Sequence, residues 1–266
     1  MSSAAQGRPE GATELVERLL LEKVSFERNI LATLLPAIAG AVNASGFFAV
    51  GTYTSHMTGV VSRAGDELAQ QHLWLALRAF ALLSSFVFGA MVATALVLYA
   101  RERQKPAFWR PLSLEAALLF CFASFSVGAG RGAYFHNFTM TAVLCAAMGL
   151  QNALITKLSG ARIRTTHLTG VSTDIGIELT KTLRRWRARS VGKSLADTVN
   201  LAGEVSLDAE ARHLRLHLRV LGCFLAGAIA GPALYLVVGH WAMLAPVALL
   251  VALAVFDLRA GLGSAA

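Results

Sequence analysis

Charge is scarce in this chain. Asp, Glu, Lys and Arg make up only 15% of its 266 residues, whereas a soluble domain carries roughly 25%. Three cysteines (Cys121, Cys145, Cys223) are too few, and odd in number, for a disulfide framework. All three lie inside apolar runs and read as small buried hydrophobes. Disorder is excluded by the opposite excess: 55% of residues are hydrophobic and the mean hydropathy is +0.56. There is no Walker loop, no Gly-x-Ser-x-Gly elbow, no His-Glu-x-x-His and no dinucleotide fingerprint, so no motif points to an enzyme. The first 29 residues are polar and charged, without the apolar core of a signal peptide.

What is present is apolar sequence in long runs. A bilayer-crossing helix needs about 20 apolar residues, and six stretches approach that length: Ile30 to Val50, Leu73 or Phe80 to Tyr99, Leu112 to Gly128, Phe138 to Thr156, Val220 to Val238 and Trp241 to Phe256. The expectation is an all-α polytopic membrane protein with six transmembrane helices. Ahead of them, Glu14 to Leu21 has helical periodicity and suits a short amphipathic helix on the membrane surface. The cations orient the layout. Net charge is +8 and the pI about 9.9. With both termini inside, 21 of the 24 Lys and Arg residues fall on the inner side, and only Arg63, Arg78 and Arg131 on the outer. That asymmetry predicts six crossings with both termini cytoplasmic. The run Arg184-Arg185-Trp186-Arg187-Ala188-Arg189 reads as an anchor for anionic lipid rather than a nucleic-acid patch.

The chain also repeats itself. Gly40-Ala41-Val42-Asn43-Ala44 aligns with Gly149-Leu150-Gln151-Asn152-Ala153 at an offset of 109. After a two-residue insertion, Thr54-Ser55-His56-Met57-Thr58-Gly59-Val60 aligns with Thr165-Thr166-His167-Leu168-Thr169-Gly170-Val171, and Gly65, Glu67 and Leu68 fall on Gly176, Glu178 and Leu179. Each copy carries three spans. An odd number makes the second copy enter from the opposite face, the arithmetic of two inverted three-helix repeats, common in secondary transporters. The expected organisation is an N-terminal cytoplasmic segment (1–29), a first repeat (30–128) and a second repeat (137–258) with a basic insertion at about 181–212.

The motifs Gly40…Asn43 and His56-Met57-Thr58-Gly59, with Gly149…Gln151-Asn152-Ala153, Leu158-Ser159-Gly160-Ala161-Arg162, Thr165 to Gly170 and Thr173-Asp174-Ile175-Gly176-Ile177-Glu178, resemble the YoaK family of bacterial membrane proteins. The likeness runs from about Leu31 to Phe256. It implies a six-helix inner-membrane protein and no established activity.

Polar groups at membrane depth are expensive and tend to mark pathways. His56 and His167 each precede x-Thr-Gly, where a Gly followed by Thr and Ser can interrupt one helix and cap the next. A helix starting near Thr58 or Thr169 would aim free N–H groups, suited to an anion, at whatever precedes it. Both motifs also fit plain interfacial turns. Asn43 and Asn152 share helix faces with Gly40 and Gly149, with Gln151 alongside, and suit interhelical hydrogen bonds or a pathway wall. Asp174 and Glu178 sit at i, i+4, where one carboxyl could carry a proton, although a solvated face fits too; the first repeat has Arg63 and Glu67 there. His213 and His217 have metal-ligand spacing but stand among arginines that would repel a cation. Small residues in Gly222, Ala226, Gly227, Ala230, Gly231 and in Gly89, Ala93 permit close helix packing, and Pro232 should bend its span.

The functional expectation is a transporter or channel for a small polar or anionic solute, with proton coupling as an option. The pathway would use Asn43, His56, Thr58, Gly59, Gln151, Asn152, His167, Thr169, Gly170, Asp174 and Glu178, with no metal and no cofactor. A structural accessory protein, or a haem or metal protein using the paired His, remain alternatives. Membrane lipids, a solute and a second copy of the chain are the expected partners, and nucleic acid is not.

Overall fold

The computed structural model describes residues 30–31, 33–126, 134–158, 168–190 and 207–260. The predicted N-terminal amphipathic helix, Arg131, Ser159 to His167 and the middle of the basic insertion lie outside these residues. The described residues are all-helical. Eight α-helices follow in order: α1 (Thr33–Val50), α2 (Met57–Ala69), α3 (Leu73–Glu102), α4 (Trp109–Ser126), α5 (Tyr134–Leu158), α6 (Leu168–Ser190), α7 (Leu207–Val238) and α8 (Leu244–Ala260), with a 3-10 turn at Gly239–Met243 before the last.

Among the described residues four stretches are long and apolar enough to cross a bilayer: Thr33–Val50, Leu73–Glu102, Asn137–Lys157 and Arg212–Arg259. The last takes in most of α7, the 3-10 turn and α8. The six runs of the sequence therefore meet four such stretches, not six. The fifth and sixth lie in one stretch, interrupted only by the 3-10 turn. The third became α4, an 18-residue helix with Arg110 and Glu115 near its start, and those charges keep it below the others in apolarity. The cationic segment before Val220 is helical as well, so α7 starts at Leu207 and continues through Pro232. Only 17% of the apolar window in α3 is buried, while Trp74, Phe80, Phe88 and Met91 stand exposed along it. In water such a face would be an aggregation hazard; hydrocarbon is the solvent that suits it.

Backbone contact between helices sets the core. A Cβ added to Gly149 on α5 would land on the Phe86 carbonyl of α3, and one added to Gly89 would land on the Ala146 carbonyl of α5. The α1–α7 crossing has the same form: Gly40 meets the Phe224 carbonyl, and Gly227 meets the Ala37 carbonyl. Gly40 and Gly149, like Ala37 and Ala146, are 109 positions apart, whereas Phe86 and Phe224, like Gly89 and Gly227, are 138 apart. Along α1 and α7 the contacts climb together, Gly227 opposite Ala37 and Gly231 opposite Ala41 and Ser45, so these two helices run in the same direction. Around the crossings lies one apolar cluster that includes Leu35, Ile38, Val97, Leu112, Phe122, Leu144, Met148, Leu154, Phe224 and Leu250. Inside it the Gln151 side-chain amide donates to the Leu35 carbonyl at 3.0 Å, tying α5 to α1. The α4 N-terminus is closed by α8, where Asp257 Oδ2 accepts the N–H of Phe108 at 2.9 Å and of Trp109 at 2.7 Å. A buried carboxylate there satisfies two orphan donors and complements the helix dipole.

Two outcomes follow from this packing. Gly149→Ala and Gly40→Ala must push backbone from backbone, and each should destabilise by about 1–3 kcal/mol. Gly176→Ala, where an added Cβ meets nothing, should be neutral or gain up to about 1 kcal/mol from helix propensity. Thermal unfolding of the purified variants decides, and equal behaviour of all three would contradict the crossings. Asp257→Ala should cost about 1–3 kcal/mol by orphaning the two N–H groups, read in the same assay.

Candidate functional site

The break between α1 and α2 builds the site. α1 ends at Val50 and Gly51 takes φ +75, a left-handed conformation that suits glycine as helix terminator. The chain then folds back on its own helix. Gly51 N–H donates to the Phe47 carbonyl at 2.8 Å, Thr54 is fully buried, and Ser55 N–H donates to Asn43 Oδ1 at 3.1 Å. α2 starts at Met57 with His56 as its N-cap, and no side chain makes a capping hydrogen bond. The helix break was legible in the Gly-Thr-Tyr-Thr-Ser run. The sequence predicts a helix start near Thr58, capped by the Thr and Ser after Gly51; the helix does start there, with Thr58 exposed in its first turn, but no side chain caps it. The His56 ring instead lies over Gly59, where any Cβ would collide with it. That is the local reason for a glycine three residues after the histidine.

His56 and Gly59 open onto a cavity of about 410 Å³ between the α1–α2 turn, α2, the start of α3 and the start of α5. Thr52, Tyr53, Arg63, Arg78, Asn137 and Thr141 supply its other polar lining, and Val50, Val60, Leu75 and Leu82 are among its apolar walls. Arg78 is seated with its guanidinium 4.9 Å from the centre of the Phe138 ring, a cation–π contact. Arg63 Nε lies 3.6 Å from Glu67 Oε1 one turn along α2. Tyr53 at the rim stacks on Phe47, with ring centroids 4.6 Å apart. Two guanidinium groups, an imidazole and an amide around one space supply N–H donors, the chemistry of an anion site, while the Thr141 hydroxyl donates to the Asn137 carbonyl at 2.7 Å.

A second cluster joins α6 to α7. Glu178 Oε2 lies 3.1 Å from His217 Nδ1, and Asp174 Oδ2 lies 4.0 Å from His217 Nε2. The i, i+4 carboxylates thus share a partner that the sequence pairing of His213 with His217 did not reveal. His213 itself is exposed, and among the described residues no group of three His, Cys, Asp or Glu could hold a metal.

The remaining sequence candidates lie apart. Asn43 holds the α1–α2 turn and Gln151 fastens α5 to α1. Asn152 presents a buried Oδ1 with no hydrogen-bond partner among the described residues, and Thr169 is exposed with its carbonyl accepting from Thr173 Oγ1 at 2.9 Å. Gly170 lies half-buried in the first turn of α6. His167 lies outside the described residues, so the pairing of the two His-x-Thr-Gly motifs rests on sequence alone. Sequence reasoning passed over Arg78, Asn137 and Thr141 as site residues. It also passed over Glu115, which is fully buried on α4 with both carboxyl oxygens unpartnered among the described residues. For Arg78 a signal did exist: the six-crossing expectation makes it one of only three cations on the outer side.

Gly59→Ala should dislodge His56 without unfolding the chain, because a ring on a flexible stem can swing aside. Stability should stay within about 1 kcal/mol while the His56 imidazole resonances shift in NMR spectra; unmoved resonances would contradict the seat over Gly59.

No curated protein and no solved structure matches the chain. Residues 31–256, from α1 into α8, match the family described as "Protein of unknown function (DUF1275)", and the chain belongs to that family, in keeping with the resemblance its motifs carry.

Proposed function

We propose that the chain is a multi-pass protein of the bacterial inner membrane that binds a small anion in the His56–Arg63–Arg78 cavity and passes it across the bilayer. The observation that carries this reading is the cavity's charge. In the six-crossing, termini-in arrangement the outer side holds only Arg63, Arg78 and Arg131, and two of those three line a single cavity. The positive-inside bias removes cations from that side; those kept there and focused on one space have a use. The apolar walls lower the local dielectric and strengthen the attraction of the guanidinium groups for an anion.

The crossing order supports the same layout. Helices that run in the same direction must both be odd or both be even crossings. α1 is the first crossing. α7 is the fifth if α3, α4 and α5 all cross while α2 and α6 lie at the faces, so the parallel contact of α1 with α7 supports α4 as a crossing. The matched contacts, α1 on α7 and α5 on α3, are the exchange expected of two three-helix repeats, and inversion follows from the odd count. In this arrangement α2 and α6 cap opposite faces. The outer one bears the arginine cavity, while the inner one bears Asp174, Glu178 and His217. The basic end of α6 then lies at the cytoplasmic surface, where anionic lipid would hold it. No covalent chemistry is part of this reading.

Purified protein tested by thermal unfolding against chloride, sulfate, phosphate and benzoate should be stabilised by at least one of them. A ligand at a hundred times its Kd adds about 2.7 kcal/mol. Arg78→Gln should remove the effect and lower the unliganded stability by no more than the lost contact with Phe138, about 1 kcal/mol. Absence of stabilisation by every anion would overturn the proposal and favour a structural role.

A further inference from the structure

Glu67 connects the cavity to a proton-binding group. One of its oxygens, Oε1, lies 3.6 Å from Arg63 Nε; the other, Oε2, lies 3.0 Å from His72 Nδ1 at the start of α3. The carboxylate is 14% exposed, against 66% for Arg63 and 53% for His72. It is therefore the shielded member of the chain, while the imidazole remains open to protons from solvent. With both histidines neutral, Arg63, Arg78 and Glu67 sum to one positive charge, and Glu67 competes with any bound anion for Arg63.

Resting on the anion reading above, we infer that a proton taken up at the His72–Glu67 pair and a monovalent anion in the cavity bind cooperatively, with Glu67 as the link. Protonation of His72 gives Glu67 an imidazolium partner, weakens its hold on Arg63 and leaves the guanidinium to the anion. Loss of that proton at higher pH returns Glu67 to Arg63, and anion affinity falls. Coupling of this kind is reciprocal, so the anion raises proton affinity by the same factor. The charged and titratable groups on the elements that form the pair and the cavity are Arg63 and exposed Asp66 on α2, His72 just before α3, Arg78 on α3, and Tyr53 and His56 in the turn before α2. α5 contributes the uncharged Asn137 and Thr141 to the cavity.

The second repeat carries an independent echo. Glu178 occupies the position equivalent to Glu67 and also pairs with an imidazole, His217, at 3.1 Å. The helix that supplies the ring is equivalent as well, α7 for α3. The position of Arg63, however, is held by Asp174. The proton pair is kept in both halves, whereas the arginine that would serve an anion is found in the first.

Benzoate is the probe, since its carboxylate stays ionised between about pH 6 and about pH 8, the range in which imidazoles titrate. Binding to the purified protein is measured by calorimetry at both ends of that range. Wild type should bind about fivefold or more weakly at the higher pH, the lower end of ordinary coupling strengths. Glu67→Gln should bind tightly at both, having released Arg63 for good, and His72→Gln weakly at both. His56→Gln should keep the pH dependence. If wild type binds equally at both pH values while Arg78→Gln abolishes binding, the coupling is wrong and the anion site stands. If the pH dependence survives His72→Gln and disappears in His56→Gln, the proton acts elsewhere and the inference falls. If wild type binds benzoate at neither pH, the inference falls together with a carboxylate-binding cavity.

Discussion

Two helix crossings at backbone contact are the constraint on which the rest of this structure depends. In hydrocarbon, apolar side chains gain nothing by leaving lipid for one another, so helices associate where small residues let backbones touch. Gly40 and Gly227 bring α1 against α7, and Gly89 with Gly149 does the same for α3 and α5. Each contact pairs a helix from one half of the chain with a helix from the other. Those four helices are thereby fixed as an interlocked core, and the polar helices α2 and α6 are left to pack on α3 and α7. Both polar clusters lie where one of these helices meets its apolar neighbour, away from the tightest packing.

The electrostatics follow from that division. The core tolerates few polar groups and gives most of them structural tasks: Gln151 bonds to α1, Asn43 pins the turn after α1, and Asp257 closes the N-terminus of α4. Two clusters of titratable groups form at α2 and α6. There the two halves have diverged in sign, Arg63 in one and Asp174 in the other, around a carboxylate–imidazole pair that both retain.

Much of the fold was legible in the sequence, and for identifiable reasons. Apolar runs announced the helices, Gly51 announced the break after α1, and the glycines at 40, 89, 149 and 227 belonged to recognisable small-residue positions. Boundaries were less legible, because a cationic helix before Val220 has no apolar signal and α4 dilutes its own with Arg110 and Glu115. The site was only partly legible. His56, Gly59, Asp174 and Glu178 were visible as motif and spacing. Their partners Arg78, Asn137 and His217 come from other helices, and no local pattern states which helices will meet. Glu115 and Asp257 escaped notice because a single carboxylate in an apolar run carries no periodicity.

The central claim is that α2 and α6 cap opposite faces of the membrane, which places the arginine cavity outside. Thiol labelling in whole cells tests it directly. In a background lacking Cys121, Cys145 and Cys223, a single cysteine is placed either at Thr52, on the cavity wall, or at Lys181, on exposed α6. A membrane-impermeant maleimide should modify Thr52→Cys in intact cells and reach Lys181→Cys only after permeabilisation. Labelling of both from the same side would contradict the opposed halves, and with them the outward-facing cavity.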